Sequence, residues 1–273
     1  MQYDPIKKSL GNIFNRAPFL RKIFYHLLDL LLLRAWHVKR EIMCWIADRK
    51  PDPGSRCSIL DAGSGFGQYT YFLSGLNPNW FVDAVDVKDE QIADCTAFFK
   101  KINRSNVLFE KTDLTKYSKP DKFDFILSVD VMEHIPDDEL VFRNFFDSLT
   151  RDGLLMISTP SDQGGSDVHD HGEEESFIDE HVRDGYNITE IQEKLKRAGF
   201  FRTEARFTYG RPGQMGWRLS MKVPIQMLNI SKAFFVLLPF YYLITYPFVY
   251  LLNFLDTRMH HACGTGLLVK AWK

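Results

Sequence analysis

The sequence of 273 residues lacks several features that would place it in a broad functional class. Its four cysteines include no C-x-x-C pair, which argues against a disulfide framework and a standard zinc site. Lysine and arginine number 34 against 35 acidic residues, so no overall basic field favours nucleic acid. No signal peptide with a small-residue cleavage site is recognisable. We therefore expect a cytoplasmic protein with reduced thiols, no metal ion and no nucleic-acid partner.

Acidic residues are missing from one long segment. Between Ala205 and Leu255 there are five lysines and arginines and no aspartate or glutamate. Within it, residues 233–255 read AFFVLLPFYYLITYPFVYLLNFL, an uncharged run long enough to be a candidate membrane span. Blocks of one charge are most often solvated surfaces, but a basic, aromatic and apolar segment is also what an anionic membrane surface attracts.

Acidic residues concentrate instead in residues 160–185, which hold nine of them and one arginine. His169, His171 and His181 lie among them and suggest a metal, but their spacing fits no standard zinc site. We expect residues 161–185 to form a solvated lid over an active site.

Strand-like and helical patterns alternate from Cys57 onwards. The predicted strands cover residues 57–62, 80–87, 107–113, 123–130, 153–160, 200–209 and 264–273. Helices are predicted near residues 89–103, 137–149 and 188–198, the last with Asn187 as its N-cap and Gly199 at its end. Such alternation predicts an α/β fold with a parallel sheet covered on both faces. Before it, residues 19–47 have helical periodicity, and a Pro- and Gly-containing break follows at residues 50–54.

The sharpest motif is ILDAGSGFG at residues 59–67, where a predicted strand leads through three glycines into a helix. Glycines allow a ligand to approach the backbone, and the helix N-terminus favours an anionic group. A dinucleotide fingerprint needs G-x-G-x-x-G, but Gln68 stands where its third glycine belongs. Asp61 precedes the first glycine by two residues, a position that disfavours a pyrophosphate and suits an ammonium or sulfonium.

From this motif onwards the sequence resembles the class I S-adenosylmethionine-dependent methyltransferases, specifically small-molecule members of the type 11 and 12 kind. FDFILSVDVMEHIPD, residues 123–137, resembles their fourth motif, and HVRDGYNITEIQEKLKRAGF, residues 181–200, a later segment. The resemblance covers residues 55–210 and the last ten. It implies a Rossmann-like, doubly wound sheet of six parallel strands, with an antiparallel seventh strand between the fifth and sixth. It also implies S-adenosylmethionine as cofactor and S-adenosylhomocysteine as product.

The resemblance assigns cofactor contacts to the ends of the first four strands. Asp86 matches the residue that binds the ribose hydroxyls, and Asp113 matches the position that contacts the adenine amine. As alternatives, Asp61 caps the loop, Asp86 caps a helix and Asp113 shapes a turn. The full set of expected cofactor-binding residues is Asp61, Gly63, Ser64, Gly65, Gly67, Asp86, Val87, Asp113, Leu114, Ser128 and Val129.

Methyl transfer from a sulfonium is an in-line displacement, so positioning supplies much of the rate and a base is needed only if the nucleophile must lose a proton. Asp130, His134 and His181 are the candidate catalytic residues, although a histidine in the position of His134 is more often packed and hydrogen-bonded than a base. The candidate acceptor contacts are Tyr186, His169 and Trp217.

The apolar run lies between the sixth and seventh strands of one sheet, so a single membrane crossing is excluded. Pro239 and Pro247 are expected to interrupt a continuous helix. We therefore predict a helical hairpin that packs on the N-terminal helix, dips into a membrane surface, or does both. The predicted organisation is a helical cap (1–54), a cofactor-binding core (55–210 and 264–273) containing the acidic lid (161–185), and an apolar helical insertion (211–263).

These observations favour a methyltransferase for a hydrophobic small-molecule or lipid-like acceptor, with the protein in the cytoplasm and peripheral at a membrane. One alternative is a membrane-associated protein that binds S-adenosylmethionine without catalysis. Another is a methyltransferase for a polar or protein acceptor whose insertion is a homodimer interface. The acceptor atom is left open.

Overall fold

The computed structural model describes residues 17–50, 54–164 and 182–273. Its strands are β1 (Cys57–Ala62), β2 (Trp80–Asp86), β3 (Val107–Lys111), β4 (Phe123–Val129), β5 (Leu149–Pro160), β6 (Arg202–Thr208) and β7 (Gly266–Trp272). Its α-helices are α1 (Pro18–Leu31), α2 (Leu33–Arg49), α3 (Gln68–Leu76), α4 (Asp89–Lys101), α5 (Asp138–Ser148), α6 (Ile188–Ala198), α7 (Arg211–Trp217), α8 (Val223–Ile230) and α9 (Leu238–Arg258). The predicted alternation of strands and helices is confirmed.

The strands form one seven-stranded sheet in the order β3-β2-β1-β4-β5-β7-β6. The neighbouring strands from β3 to β5 are parallel, and β7 runs antiparallel between β5 and β6. The predicted Rossmann-like, doubly wound sheet with an inserted antiparallel strand is therefore confirmed.

Both faces of the sheet are buried, which explains why its central strands are nearly continuously apolar. Leu60 and Ile126 belong to the core on one face, and their chain neighbours Ile59 and Phe125 belong to the core on the other. β1 pairs with β4 so that Ala62 lies opposite Ser128. The carboxyl ends of β1, β2 and β4 consequently meet at one edge of the sheet, which we call the carboxyl edge.

The N-terminal segment was predicted as one helix but forms two. Leu32 adopts an extended conformation, with φ −90° and ψ 107°, and separates α1 from α2. No proline or glycine marks this break, and tertiary packing accounts for it. Tyr25 of α1 packs with Phe98 and Phe99 of α4, whereas α2 packs Val38 against the sheet.

The insertion forms a helical hairpin, defined here as residues 211–258. One arm consists of α7, a π-helical segment at Arg218–Lys222, and α8; the other arm is α9, and a 3₁₀ turn at Lys232–Val236 joins them. The expectation that Pro247 interrupts the helix was wrong, because α9 is continuous through it. Packing after that proline, where Val249 and Asn253 are buried, offsets the lost backbone hydrogen bond.

Among the described residues, α9 is the helix long and apolar enough to cross a membrane by length and composition. Only 11% of its most apolar window is buried inside the protein. A core helix of this composition would be mostly buried, so α9 is not an ordinary core helix.

Candidate active site

The glycine loop after β1 is held against the end of β2 by backbone hydrogen bonds. Gly63 and Ser64 both donate to the carbonyl oxygen of Val85, at 2.9 and 2.8 Å. Gly63 has φ +86°, and a Cβ there would lie 2.1 Å from a methyl carbon of Val131. Only glycine fits this turn between β1 and the segment that follows β4.

Asp61 is the next-to-last residue of β1 and is buried, with 2% of its surface exposed. The Thr70 hydroxyl donates a hydrogen bond to its carboxylate at 2.5 Å. Burial nevertheless raises the pKa of Asp61 to about 7, and the neighbouring charge of Asp86 adds to the increase. A cationic ligand group beside Asp61 would reverse this shift.

Asp86 ends β2 and shapes the loop on both sides of it. One carboxylate oxygen accepts a hydrogen bond from the Gly65 N–H and the other from the Lys88 N–H, each at 2.9 Å. Both readings of this residue are thus compatible, since each oxygen keeps a second lone pair that can accept from a ribose hydroxyl. Val87 follows it and is 57% exposed at the carboxyl edge.

Asp113 lies just beyond β3 and is exposed. Its carboxylate accepts hydrogen bonds from the Thr115 N–H at 2.9 Å and the Thr115 hydroxyl at 2.8 Å. These bonds lower the pKa of Asp113, so the residue does shape a turn. Its neighbour Leu114 is buried, and the adenine contact of both residues stays a prediction.

The carboxyl edge also contains buried polar atoms without a hydrogen-bond partner in the described part of the chain. They include the hydroxyl oxygens of Ser64 and Ser128. A Cβ at Gly65 would meet nothing nearer than the Gln91 side-chain oxygen at 3.9 Å, so the loop is open there. These unpaired hydroxyls lie beside an open loop and near the Asp61 carboxylate, which has few hydrogen-bond donors. The arrangement fits a polar, cationic cofactor such as S-adenosylmethionine.

Asp130 follows β4 directly and forms an ion pair with Arg34 of α2. Asp130 has φ +51°, and Tyr209, which follows β6, has φ +56°. The Arg34 N–H donates to the Tyr209 hydroxyl at 3.0 Å, so these three residues form one cluster at the carboxyl edge. A left-handed conformation is unfavourable for a non-glycine residue, so contacts within this cluster must hold Asp130 and Tyr209 in place. One signal in the sequence could have pointed to Arg34, since it is a charged residue directly after a run of four leucines.

A second group that the sequence did not reveal holds α1 over the glycine loop. Arg21 is buried and donates to the Tyr25 hydroxyl at 2.8 Å and to the Phe66 carbonyl at 2.9 Å. The Tyr25 hydroxyl donates to the same carbonyl at 2.5 Å. Helix α1 therefore covers the loop and helps to exclude water from it.

The structure moves one predicted acceptor contact into the core. Tyr186 is 1% exposed, with its hydroxyl 2.7 Å from an Asp138 carboxylate oxygen and 3.1 Å from the Met132 carbonyl. Arg183 pairs with the same aspartate, and burial raises the pKa of Tyr186. Tyr186 thus anchors the start of α6 and does not face an acceptor.

The remaining predicted residues differ in position. His134 is half-buried in a 3₁₀ turn just after Asp130, which keeps it near the carboxyl edge. Trp217 is half-buried at the end of α7, and its acceptor contact stays a prediction. His169 and His181 lie outside the described residues.

One surface cavity lined by described residues is remote from this chemistry. It has a volume of about 460 Å³ and is lined by Trp45, Asp124 and Trp272, among others. Asp124 lies at the start of β4, so the cavity is at the edge of the sheet opposite the glycine loop.

The chemistry expected at the carboxyl edge divides between cofactor and protein. S-adenosylmethionine supplies a methyl group on a sulfonium, which makes displacement by a nucleophile favourable. The chain's own residues would bind that cofactor through Asp61, the loop glycines and Asp86. Helices α1 and α2 would exclude water and orient the acceptor, which is where most of the rate arises.

Comparison with known proteins gives matches to methyltransferases. The methyltransferase-domain family matches residues 53–199. A malonyl-[acyl-carrier protein] O-methyltransferase of Bacillus anthracis is 30% identical over 122 residues, which are 45% of this chain and 44% of that protein. A phosphoethanolamine N-methyltransferase of Triticum aestivum is 31% identical over 150 residues, 54% of this chain and 28% of that protein. The chain thus spans less than half the length of these curated relatives.

Among solved structures, phosphoethanolamine N-methyltransferase 2 of Haemonchus contortus, in complex with S-adenosyl-L-methionine, superposes with a TM-score of 0.58. The sequence identity is 20%, and the match covers 84% of this chain and 51% of that one, which establishes a shared fold. The family match covers more than half of the chain and contains the glycine loop, Asp86 and Asp130. The chain therefore belongs to the methyltransferase-domain family, and its core is a class I S-adenosylmethionine-dependent methyltransferase domain.

Proposed function

We propose that the protein transfers a methyl group from S-adenosylmethionine to a hydrophobic small molecule or a lipid-like acceptor, and that it does so as a cytoplasmic protein peripheral to a membrane. The observation that carries this proposal is the connection between the carboxyl edge and the apolar hairpin. Helix α9, which exposes an apolar face, is fastened to the same cluster that surrounds Asp130.

Asp256, near the end of α9, makes that connection. Its carboxylate accepts hydrogen bonds from the Tyr209 N–H at 3.2 Å and from the Gly213 N–H at 2.9 Å. The same carboxylate lies 2.8 Å from Nε2 of His37 in α2. Because Tyr209 also contacts Arg34, the base of the hairpin borders the place where an acceptor would meet the cofactor.

An acceptor that reaches this edge passes helices rich in apolar side chains. Leu33, buried in α2, touches the hairpin at Gly213, where an added Cβ would lie 2.5 Å from it. Trp36 packs edge-on against Tyr250 of α9, with ring centroids 5.0 Å apart. Apolar walls with a few convergent polar groups are the usual composition of sites for hydrophobic ligands.

Two assays test this proposal. Calorimetry should show that the purified protein binds S-adenosylmethionine, and Asp61→Asn should weaken that binding. Transfer of radiolabelled methyl from the cofactor to a cell lipid extract should then give organic-soluble label with the native protein and much less with Asp61→Asn. Absence of cofactor binding would overturn the proposal. Binding with no transfer to any acceptor fraction would indicate a cofactor-binding protein without catalysis.

A polar acceptor is the second candidate, and the charged pair of Arg34 and Asp130 at the carboxyl edge favours it. Relatives named for phosphoethanolamine also support it. In this case the label would appear in the aqueous small-molecule fraction, and the hairpin would serve only as an interface between two copies of the chain.

A further inference from the structure

We infer that the outer faces of α1 and α9 form one continuous surface that docks on an anionic lipid bilayer. The inference rests on the peripheral location in the proposed function and deepens it by naming the docking surface and its lipid partner, and it needs neither acceptor nor cofactor.

The outward face of α9 is apolar along most of the helix. Every exposed residue from Pro239 to Leu255 is apolar or aromatic. The large exposed side chains are Phe240, Leu243, Ile244, Phe248, Tyr250, Leu251, Phe254 and Leu255. Most of them recur every three or four residues, so they follow one side of the helix.

Helix α6 of the same protein shows what a water-facing helix looks like here. Its buried residues are Ile191 and Leu195, and its exposed residues are Thr189, Glu190, Glu193, Lys196 and Arg197. In α9 this arrangement is reversed, since its buried residues include Asn253, Asp256 and Thr257. A reversed helix indicates that the outer face of α9 meets an apolar environment.

Helix α1 presents a second apolar stripe, formed by Phe19, Ile23, Leu27 and Leu30. Trp36 joins the two stripes. Its indole N–H donates to the Leu30 carbonyl at 3.2 Å, and its ring packs against Tyr250 of α9. The stripes therefore meet and form one surface.

The hairpin also satisfies backbone groups that lipid could not. Pro224 has no N–H to donate to the Ser220 carbonyl, and the π-helical turn removes the usual partner of Leu219. The hydroxyls of Tyr242 and Tyr241 donate to these two carbonyls, each at 2.7 Å. In water such carbonyls would be solvated at no cost, whereas hydrocarbon demands an internal partner.

Charge distinguishes a bilayer from a second copy of the chain as the occupant. From Arg211 to Leu255 the hairpin carries four lysines and arginines and no acidic residue. The fifth basic residue of the acid-free segment, Arg206, lies in β6 and pairs with Glu41. Two copies meeting through this segment would bring like charges together, whereas an anionic leaflet attracts them. The stripe runs along the side of α9, so the helix lies in the plane of the surface.

The test is flotation of the full chain with vesicles. Native protein should float with vesicles of phosphatidylcholine and phosphatidylglycerol, and less with phosphatidylcholine alone or at high salt. Phe248→Glu, at a position 64% exposed in the α9 stripe, should lower the partition coefficient by about tenfold or more. The matched control is Phe201→Glu, which should leave vesicle binding unchanged. Phe201 is 71% exposed and lies just before β6, at the end of the sheet opposite the carboxyl edge.

Both substitutions are at exposed positions, and retained cofactor binding by calorimetry verifies that each variant is folded. Native protein that stays with the soluble fraction for both vesicle types would overturn the inference. Equal flotation of native protein and Phe248→Glu would do the same. A third outcome would also overturn the inference. If the native protein does not float, is a dimer in lipid-free sedimentation and becomes a monomer on Phe248→Glu, then a second copy of the chain covers this surface. Because these assays contain no acceptor, a failure of methyl transfer does not affect them.

Discussion

Two buried carboxylates, Asp61 in the glycine loop and Asp256 at the base of the hairpin, have contrasting surroundings. Asp61 is bound by Thr70, and burial raises its pKa to about 7. Asp256 is equally buried, but hydrogen bonds from His37 and two backbone N–H groups lower its pKa despite burial. A buried carboxylate with several hydrogen-bond donors stabilises the fold, whereas a buried carboxylate with few donors indicates a ligand-binding position.

The largest effect should follow loss of the carboxylate at the hairpin base. Asp256→Ala leaves the N–H groups of Tyr209, Gly213 and His37 buried without an acceptor. We expect the free energy of unfolding to fall by about 3–5 kcal/mol, measured by denaturant titration. Asp256→Asn, which keeps one acceptor oxygen, should lose less. Equal stability of the alanine variant and the native protein would contradict a fastening role.

Asp61→Asn should affect cofactor binding and not stability. Because it removes a buried charge that has few hydrogen-bond donors, the cofactor-free variant should be as stable as the native protein, or more stable, at pH 8. Loss of a charge-assisted contact should weaken S-adenosylmethionine binding by roughly ten- to a hundredfold in calorimetry. A variant that is destabilised but binds the cofactor normally would reverse the roles assigned to the two carboxylates.

The pH dependence should separate the two carboxylates next. The folded-state pKa of Asp61 is raised, so between about pH 4 and pH 7 the cofactor-free protein should lose stability as the pH rises. Asp256 has a lowered pKa, so its contribution is present above about pH 4 and is lost as the pH falls below that value.

The affinity for S-adenosylmethionine should also depend on pH through Asp61. The dissociation constant of S-adenosylmethionine should rise by up to about tenfold per pH unit below pH 7, as Asp61 takes up a proton. In Asp61→Asn this dependence should disappear. Calorimetry across the pH range measures it, and a native profile that is flat between pH 5 and pH 7 would show that the Asp61 carboxylate is not coupled to the cofactor.

The smallest change in stability should follow removal of the half-exposed pair at the acceptor edge. The side chains of Arg34 and Asp130 are 29% and 32% exposed, so solvent screens their attraction. Arg34→Gln should change the free energy of unfolding by less than about 1 kcal/mol, with a similarly small coupling to Asp130→Asn in a double-mutant cycle. Methyl transfer should slow while cofactor affinity is kept. Native turnover in Arg34→Gln would show that the pair has no part in positioning the acceptor.

The features that the sequence predicted well have local causes. Three glycines after an apolar strand define the loop, and Asn187 and Gly199 delimit α6 at the predicted residues. The sheet order followed from the resemblance of a series of motifs. Each of these signals depends on a few neighbouring residues, which is why it can be read without the fold.

The features that the sequence missed depend on distant contacts. The break at Leu32 has no local marker, and Arg34 and Arg21 gain their roles from partners that lie far along the chain. The resemblance places Tyr186 at the acceptor. A local motif cannot show that its hydroxyl donates to Asp138, which lies 48 positions away in the sequence. Pro247 was expected to interrupt a helix whose packing is stronger than the local preference.

The position of β7 has a consequence for how the protein is made. This strand pairs with both β5 and β6, yet it follows the hairpin in sequence. During synthesis, β6 and the whole apolar hairpin therefore leave the ribosome before the strand that completes the sheet. The hairpin's exposed face is available to a membrane or a chaperone during this interval, while the sheet still has a gap where β7 will lie.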